Sequence, residues 1–412
     1  MNCRGFSGVE GIKRAIRGLV MILAPLFVMP SCIESGRLDD ITTRTVLIYI
    51  AAENNLSNTA QSNIFSMNSN IRYVDSNTNL VVFVDRMGLR PCLLHIHNAQ
   101  IDTLKKYDEL DSTKPEVLSM VIDDMTSRFD SESYGLVLWS HGTGWIPTDM
   151  LHYTAPSLNY APGRGESRPH WFEEPERTKA FGWETKPNQT PNYTCMEIDD
   201  LASAIPDGLF DFIAFDACYM GAVEVAYELR NKADYIIASC YEIVSLGFPY
   251  HVMTRDLLSG SLMKICREFY TYYNSMTDWE RMAGISLVKT AGLDSLAGCF
   301  RKVVSECRDS IPRMDLSKVQ CFDRFDNHMV FDLEDAVSHM GASPETLREF
   351  RLQLENCVLY KVSTPYIFYN DKDEIKVNTY CGLSVFVPVS KYDAPGVNAA
   401  YRRTGWSIAT GY

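Results

Sequence analysis

A chain of 412 residues, 46% hydrophobic and 22% charged, is long enough to bury a large core and too ordinary in composition to be disordered. A net charge of −13 argues against nucleic acid as a partner, because phosphate binding needs a basic face. The twelve cysteines include no C-x-x-C pair, which argues against zinc ribbons and thioredoxin-type redox chemistry.

Residues 1–31 read as an export signal. Arg4, Lys13, Arg14 and Arg17 precede an apolar run over 18–29 that is too short to span a bilayer. The run closes on Met29-Pro30-Ser31-Cys32, similar to a bacterial lipobox, so Cys32 is the expected lipid-bearing first residue, with ordinary signal cleavage as the alternative. Loss of 1–31 removes four bases and one acid and carries the charge from −13 to −16. Residues 32–44 read as a polar tether, and no later run is long enough for a second span.

From residue 45 the chain alternates apolar, β-branched runs with amphipathic segments. Strands are expected at 45–52, 80–85, 134–139, 210–215, 235–238, 285–288 and 383–388. Helices are expected at 56–69, 115–129, 196–205, 219–231, 253–275, 293–311 and 345–360. That rhythm predicts an α/β fold with helices on both faces of a mostly parallel sheet. The core runs over 45–250, and 251–412 forms a C-terminal part that completes the sheet and adds a subdomain. The stretch 151–194, rich in Pro, Gly, aromatics and charge, interrupts the rhythm and reads as a long surface insertion.

Two strand ends carry the chemistry, since functional groups in open α/β sheets collect beyond the carboxyl ends of strands. One run, 136–139, delivers Ser140-His141-Gly142-Thr143-Gly144; another, 212–215, delivers Asp216-Ala217-Cys218-Tyr219-Met220. Met220, Val223 and Tyr227 recur at helical spacing, so Cys218 is expected at a helix N-terminus, where the dipole would lower its pKa. A thiol nucleophile needs a base within reach and an oxyanion site beside it, so His141 and Cys218 at two strand ends are more informative together than apart. Each signal alone is weak, because an isolated cysteine or histidine is usually structural.

The segments SHGTGW and FDACYMGAVEVAYEL together resemble the clostripain family of the caspase-like peptidase clan. The turn Glu53-Asn54-Asn55-Leu56, the stretch 238–250, and the segments 382–388 and 401–412 are similar to further parts of that family. The resemblance implies a caspase-like three-layer α/β/α sandwich and a peptidase with Cys218 as nucleophile and His141 as acid/base partner. It implies an oxyanion site at the N–H groups of Gly142 and Cys218, and peptides or proteins as substrates. Asp216 matches a family acid of the S1 pocket, where a carboxylate suits Arg or Lys at P1. Glu242 stands where family members often place a second acid. The resemblance also suggests self-cleavage within 151–194, after Arg164, Arg168, Arg177, Lys179 or Lys186. No cofactor is implied by the motifs; calcium stays open by family analogy alone, since no EF-hand loop occurs. Membrane contact is expected only through the lipid on Cys32.

Three rival readings remain. An α/β-hydrolase would need a G-x-S-x-G elbow, which is absent from the sequence. An envelope binding protein built on a silent peptidase fold stays open. A metallohydrolase would draw on His95 and His97, which share one face of a strand but lack an H-E-x-x-H motif; they read as surface or structural residues.

Overall fold

Strand β1 (Thr42–Ala52) buries both of its faces, with Val46, Ile48 and Ile50 on one side and Leu47, Tyr49 and Ala51 on the other. A strand covered on both faces must lie inside a sheet between two helical layers. The computed structural model, which describes residues 42–71, 77–147, 181–185, 193–372 and 374–412, has that arrangement. Residues 1–31, Cys32 and most of the tether lie outside the described residues, and β1 begins three residues inside the expected tether.

The sheet continues with β2 (Thr78–Arg86), β3 (Leu89–His97), β4 (Gln100–Lys106), β5 (Ser131–Trp139), β6 (Phe210–Asp216), β7 (Ala233–Ala238), β8 (Gly284–Lys289) and β9 (Val358–Ser363). Its nine strands lie in the order β9-β8-β7-β6-β5-β1-β2-β3-β4. The five central strands, from β7 to β2, are parallel, and an antiparallel pair extends each side. Only β3 and β8 run against the rest, so the sheet is mostly parallel, as the sequence predicts.

Helices α1 (Ser57–Asn70), α5 (Tyr250–Ser259) and α6 (Leu262–Asn274) cover the face that carries Ile48 and Ile50. On the other face lie α2 (Pro115–Thr126), α3 (Ile198–Ala204), α4 (Val223–Glu228), α7 (Leu293–Cys307), α8 (Leu333–Met340), α9 (Pro344–Cys357), α10 (Val397–Tyr401) and α11 (Gly405–Thr410). Each fully buried Leu, Ile or Val contributes roughly 1.5–3 kcal/mol, so two such cores offset the cost of ordering a long chain. Residues 41–412 form one compact unit, and the C-terminal part completes the sheet through β8 and β9.

Several expectations need correction. The helix expected over 253–275 is broken at Gly260, whose φ of +69° ends α5 in the left-handed conformation that glycine tolerates best. The helix expected to reach 360 stops at Cys357, and Val358 enters the sheet. The strand expected at 383–388 shrinks to Ser384–Val385, which pairs with Phe331–Asp332 outside the main sheet. The insertion is not wholly a surface loop: Phe181–Thr185 pairs antiparallel with Tyr193–Met196, and Phe181 and Glu184 are buried. The remainder of 151–194, with its five basic residues, lies outside the described residues.

Candidate active site

Strands β5 and β6 are parallel neighbours whose register pairs Trp139 with Asp216. Two residues beyond that pair, past the ends of the two strands, come His141 and Cys218, so both follow neighbouring strand ends at the same offset. The turns beyond the strands pack closely. Ser140 donates its N–H to the Asp216 carbonyl at 3.4 Å and its hydroxyl to the Ala51 carbonyl at 2.6 Å. A Cβ on Gly142 would lie 2.6 Å from the Cys218 carbonyl oxygen, so only glycine lets these turns approach. Gly182 N–H donates to the His141 carbonyl at 3.1 Å, which anchors the end of the insertion to the same turn.

The His141 imidazole meets Asn55, with Nε2 2.8 Å from the amide oxygen. That pairing puts the proton on Nε2 and leaves Nδ1 as the basic nitrogen. Asn55 is presented by a turn that Asn54 shapes, its Oδ1 accepting from Leu56 N–H at 2.8 Å and its Nδ2 donating to the Ala51 carbonyl at 3.3 Å. Burial pulls His141 down to about 4, although an edge of the residue reaches solvent.

Cys218 is half-buried under the loop after β7. Ile243 N–H donates to its sulfur at 3.3 Å, and the Ile243 carbonyl lies 3.8 Å from the same atom. Burial, with the Glu242 carboxylate nearby, pushes the thiol up to about 12, against the weaker pull of Ile243 N–H and Arg324. The expected helix N-terminus is not found: α4 begins only at Val223, and dipole effects fade within a helix's first turn. The intervening turn contains Tyr219 at φ +61°, a left-handed conformation that costs a bulky residue roughly 1–2 kcal/mol.

Asp216 ends β6 and is 4% exposed. Its Oδ2 accepts from Phe248 N–H and from the Tyr250 hydroxyl, both at 2.9 Å. Burial raises its carboxyl to about 7 in spite of those bonds. Glu242 accepts the Tyr219 hydroxyl at 2.9 Å and pairs with Arg324 at 3.2 Å. Thus His141, Gly142, Asp216, Cys218 and Glu242 gather around two adjoining strand ends and the loop after β7.

The sequence reading gave no role to Asn55, Tyr219 or Arg324. Asn55 was within reach, because the β1–β5 register pairs Ile50 with Trp139 and sets the β1 turn beside His141. Arg324 carried no local signal, since it comes from a loop about a hundred residues downstream. His95 and His97 stack on β3 with ring centroids 4.5 Å apart, and His97 pairs with Asp102 at 2.8 Å. Among the described residues, one group could hold a cation: single ligand atoms from Glu53, Asp85 and Glu184 lie within 4.8 Å of one another. These oxygen donors fit a hard ion such as calcium.

The sequence profile of the clostripain family matches residues 48–159 and 170–393. This chain belongs to the clostripain family. Clostripain of Hathewaya histolytica is 25% identical over 248 residues, which are 52% of this chain and 42% of that protein, so the chain spans less than half of that relative's length. The crystal structure of an inactive zymogen C11 protease from Parabacteroides distasonis superposes with a TM-score of 0.74 at 32% identity, over 90% of this chain and 98% of that one. A secreted C11 cysteine protease from Bacteroides thetaiotaomicron, solved with an irreversible peptide inhibitor, has a TM-score of 0.70 at 28% identity, over 89% and 99%. This clostripain-family chain therefore has the fold of cysteine peptidases over nearly all of its described length. No helix among the described residues is long and apolar enough to cross a membrane.

Proposed function

We propose that this clostripain-family cysteine peptidase is an exported endopeptidase that works through a Cys218/His141 dyad and cleaves after Arg or Lys. The observation that supports the dyad is the Trp139–Asp216 register, with His141 and Cys218 each following two residues later beyond the carboxyl ends of β5 and β6. Cys218 attacks the scissile carbonyl, and the Gly142 and Cys218 N–H groups receive the charge that develops on its oxygen. His141 takes the thiol proton and returns it to the leaving amine.

With the thiol near 12 and the imidazole near 4, the resting pair is neutral, the proton staying on sulfur. Ile243, in contact with that sulfur, must give way when a peptide enters. Asp216 beneath the nucleophile is the candidate S1 carboxylate, and a buried acid there favours a guanidinium or ammonium group. Glu53, Asp85 and Glu184 are the residues that would hold calcium, where the ion would tie the ends of β1 and β2 to the segment next to His141. Export follows from residues 1–31, with Cys32 as the lipid site; the Bacteroides thetaiotaomicron relative described as secreted supports it. A mature N-terminus other than Cys32, with a fully soluble product in detergent phase separation, would remove the lipid claim.

The covered thiol is also what a silent binding protein would display. A positional-scanning fluorogenic peptide screen of wild type beside Cys218→Ala separates the two: turnover in wild type alone supports the peptidase, and its P1 profile tests the basic preference. No turnover in either protein would favour the silent binder.

A further inference from the structure

The strained residue beside the nucleophile is held by a brace that reaches into the C-terminal part of the chain. Tyr219 follows Cys218 directly and keeps φ at +61°, a conformation a tyrosine holds only where surrounding contacts impose it. Its N–H donates to the Tyr241 carbonyl at 3.2 Å, and its hydroxyl reaches Glu242 Oε1 at 2.9 Å. Glu242 is fixed in turn by Arg324, whose Nη2 lies 3.2 Å from Oε2 and 3.4 Å from Oε1. The other guanidinium nitrogen, Nη1, meets Asp371 at 3.0 Å, and the group stacks over the Phe368 ring at 4.1 Å.

Arg324 is itself presented by a loop that folds around the neighbouring Asp323 carboxylate. The buried Asp323 carboxylate accepts N–H groups from Phe325, Met329 and Val330 at 3.0, 2.9 and 2.7 Å, and pairs with His328 Nδ1 at 2.8 Å. The Phe325 ring then packs on Tyr219 with centroids 5.5 Å apart. Loop, guanidinium and carboxylate converge on one phenol, and the phenol's backbone sets the direction of the adjoining thiol.

We infer that Tyr219, Glu242 and Arg324 form a positioning unit that holds the Cys218 turn in its strained conformation, and that Glu242 serves this unit rather than the substrate's basic side chain. A carboxylate already engaged by a phenol and a guanidinium is poorly placed to recruit a further cation, and Arg324 supplies positive charge where such a side chain would approach. The inference rests on the dyad reading given above. The two fail differently: absence of wild-type turnover removes the dyad, whereas the brace is judged on its variants against an active wild type.

The test is steady-state kinetics and P1 profiling of the full chain carrying Tyr219→Phe, Glu242→Gln, Arg324→Gln and the double variant Tyr219→Phe/Glu242→Gln. Tyr219→Phe loses a single hydroxyl and keeps the ring, so it reports even where a charge-removing variant folds poorly. The brace requires kcat to fall about tenfold in each single variant, with KM and P1 preference unchanged. The double variant should be no worse than its more impaired parent, because both changes cut one chain of contacts. A changed P1 preference or a raised KM in Glu242→Gln would place that carboxylate on the substrate and overturn the inference. Wild-type kcat in Tyr219→Phe would overturn it too, as would faster turnover in Arg324→Gln, which would make the arginine a plug.

Discussion

The His141 imidazole Nε2 lies 2.8 Å from the amide oxygen of Asn55, so the turn after β1 grips the ring that stands at the end of β5. The bond fixes the ring's tautomer without placing a charge beside it, which suits an imidazole that burial keeps neutral. Asn55 is exposed and adds nothing to the core, so its removal isolates the orienting effect from stability. Asn55→Ala is expected to lower kcat about tenfold while leaving KM and the melting temperature near wild type. An unchanged kcat would mean that the ring is held by its neighbours instead.

If Cys218 and His141 act as a dyad, burial leaves the resting pair neutral, which has a measurable signature in alkylation. Burial raises the Cys218 thiol to about 12, so its thiolate fraction keeps growing with pH through the neutral and mildly alkaline range. The rate of iodoacetamide labelling at Cys218, followed by mass spectrometry, should rise about tenfold per pH unit from 7 to 9. A plateau below pH 7 would show a preformed thiolate–imidazolium pair.

The parts of the site that were legible in the sequence share one property: each comes after a strand buried on both faces. Continuous apolar runs announced β1, β2, β5, β6 and β7, and the residues just beyond two of them were His141 and Cys218. What was missed lies where the local pattern conflicts with the tertiary outcome. The stretch 219–231 has helical periodicity, yet the chain spends its first four residues in a turn, because Gly221 N–H bonds the Ser239 carbonyl at 2.6 Å and Tyr219 N–H bonds Tyr241. β4 is mostly polar and partly exposed, so an edge strand left no apolar run to read. Arg324 and Asp371 reach the site only through the fold of the C-terminal part, information that no window of sequence around Cys218 contains.

Asp216 links specificity to pH. Its carboxyl, raised to about 7 by burial, is mostly protonated at pH 6 and mostly ionised at pH 8 in the free protein. If it recognises a basic P1 side chain, kcat/KM for an Arg substrate should fall as pH drops through about 7, since kcat/KM reports ionisations of the free enzyme. Asp216→Asn should flatten that limb and bring Arg and neutral P1 substrates closer together. A limb that survives in Asp216→Asn belongs to another group.

Glu224 should weaken the fold as pH rises. It is fully buried in α4, its Oε1 accepts Phe386 N–H at 2.9 Å, and burial raises its carboxyl from 4.5 to about 7. Below 4.5 both folded and unfolded chains hold the proton, so there is no penalty. Between 4.5 and 7 the unfolded chain releases it first, and stability falls by up to roughly 1.4 kcal/mol per pH unit from this group. Above 7 the penalty is complete. Glu224→Gln keeps an acceptor for Phe386 and should flatten the slope, so its urea midpoint should exceed that of wild type at pH 8 and match it near pH 4. Equal midpoints at pH 8 would show that the carboxyl is not held neutral.

The last prediction concerns chain cleavage between His141 and Cys218. If the S1 site accepts basic residues, Arg164, Arg168, Arg177, Lys179 and Lys186 are candidate cut sites for the protein acting on itself. The fold dictates the outcome of a cut. β5 and β6 stay paired in the middle of the sheet, and Phe181, fully buried, remains bridged to Gly142 while Gly182 N–H holds the His141 carbonyl. A cut after any of the first four sites therefore leaves the buried Phe181 on the fragment that carries Cys218, still docked against the turn that carries His141. Incubated wild type should give two bands under denaturing conditions but one peak, at the intact mass, in native gel filtration, with rising activity. Cys218→Ala should stay whole. New termini mapped by mass spectrometry should come directly after a basic residue within 151–194. An uncut wild type that is already fully active would refute processing while leaving the dyad in place, and fragments that separate natively would contradict the pairing of β5 with β6.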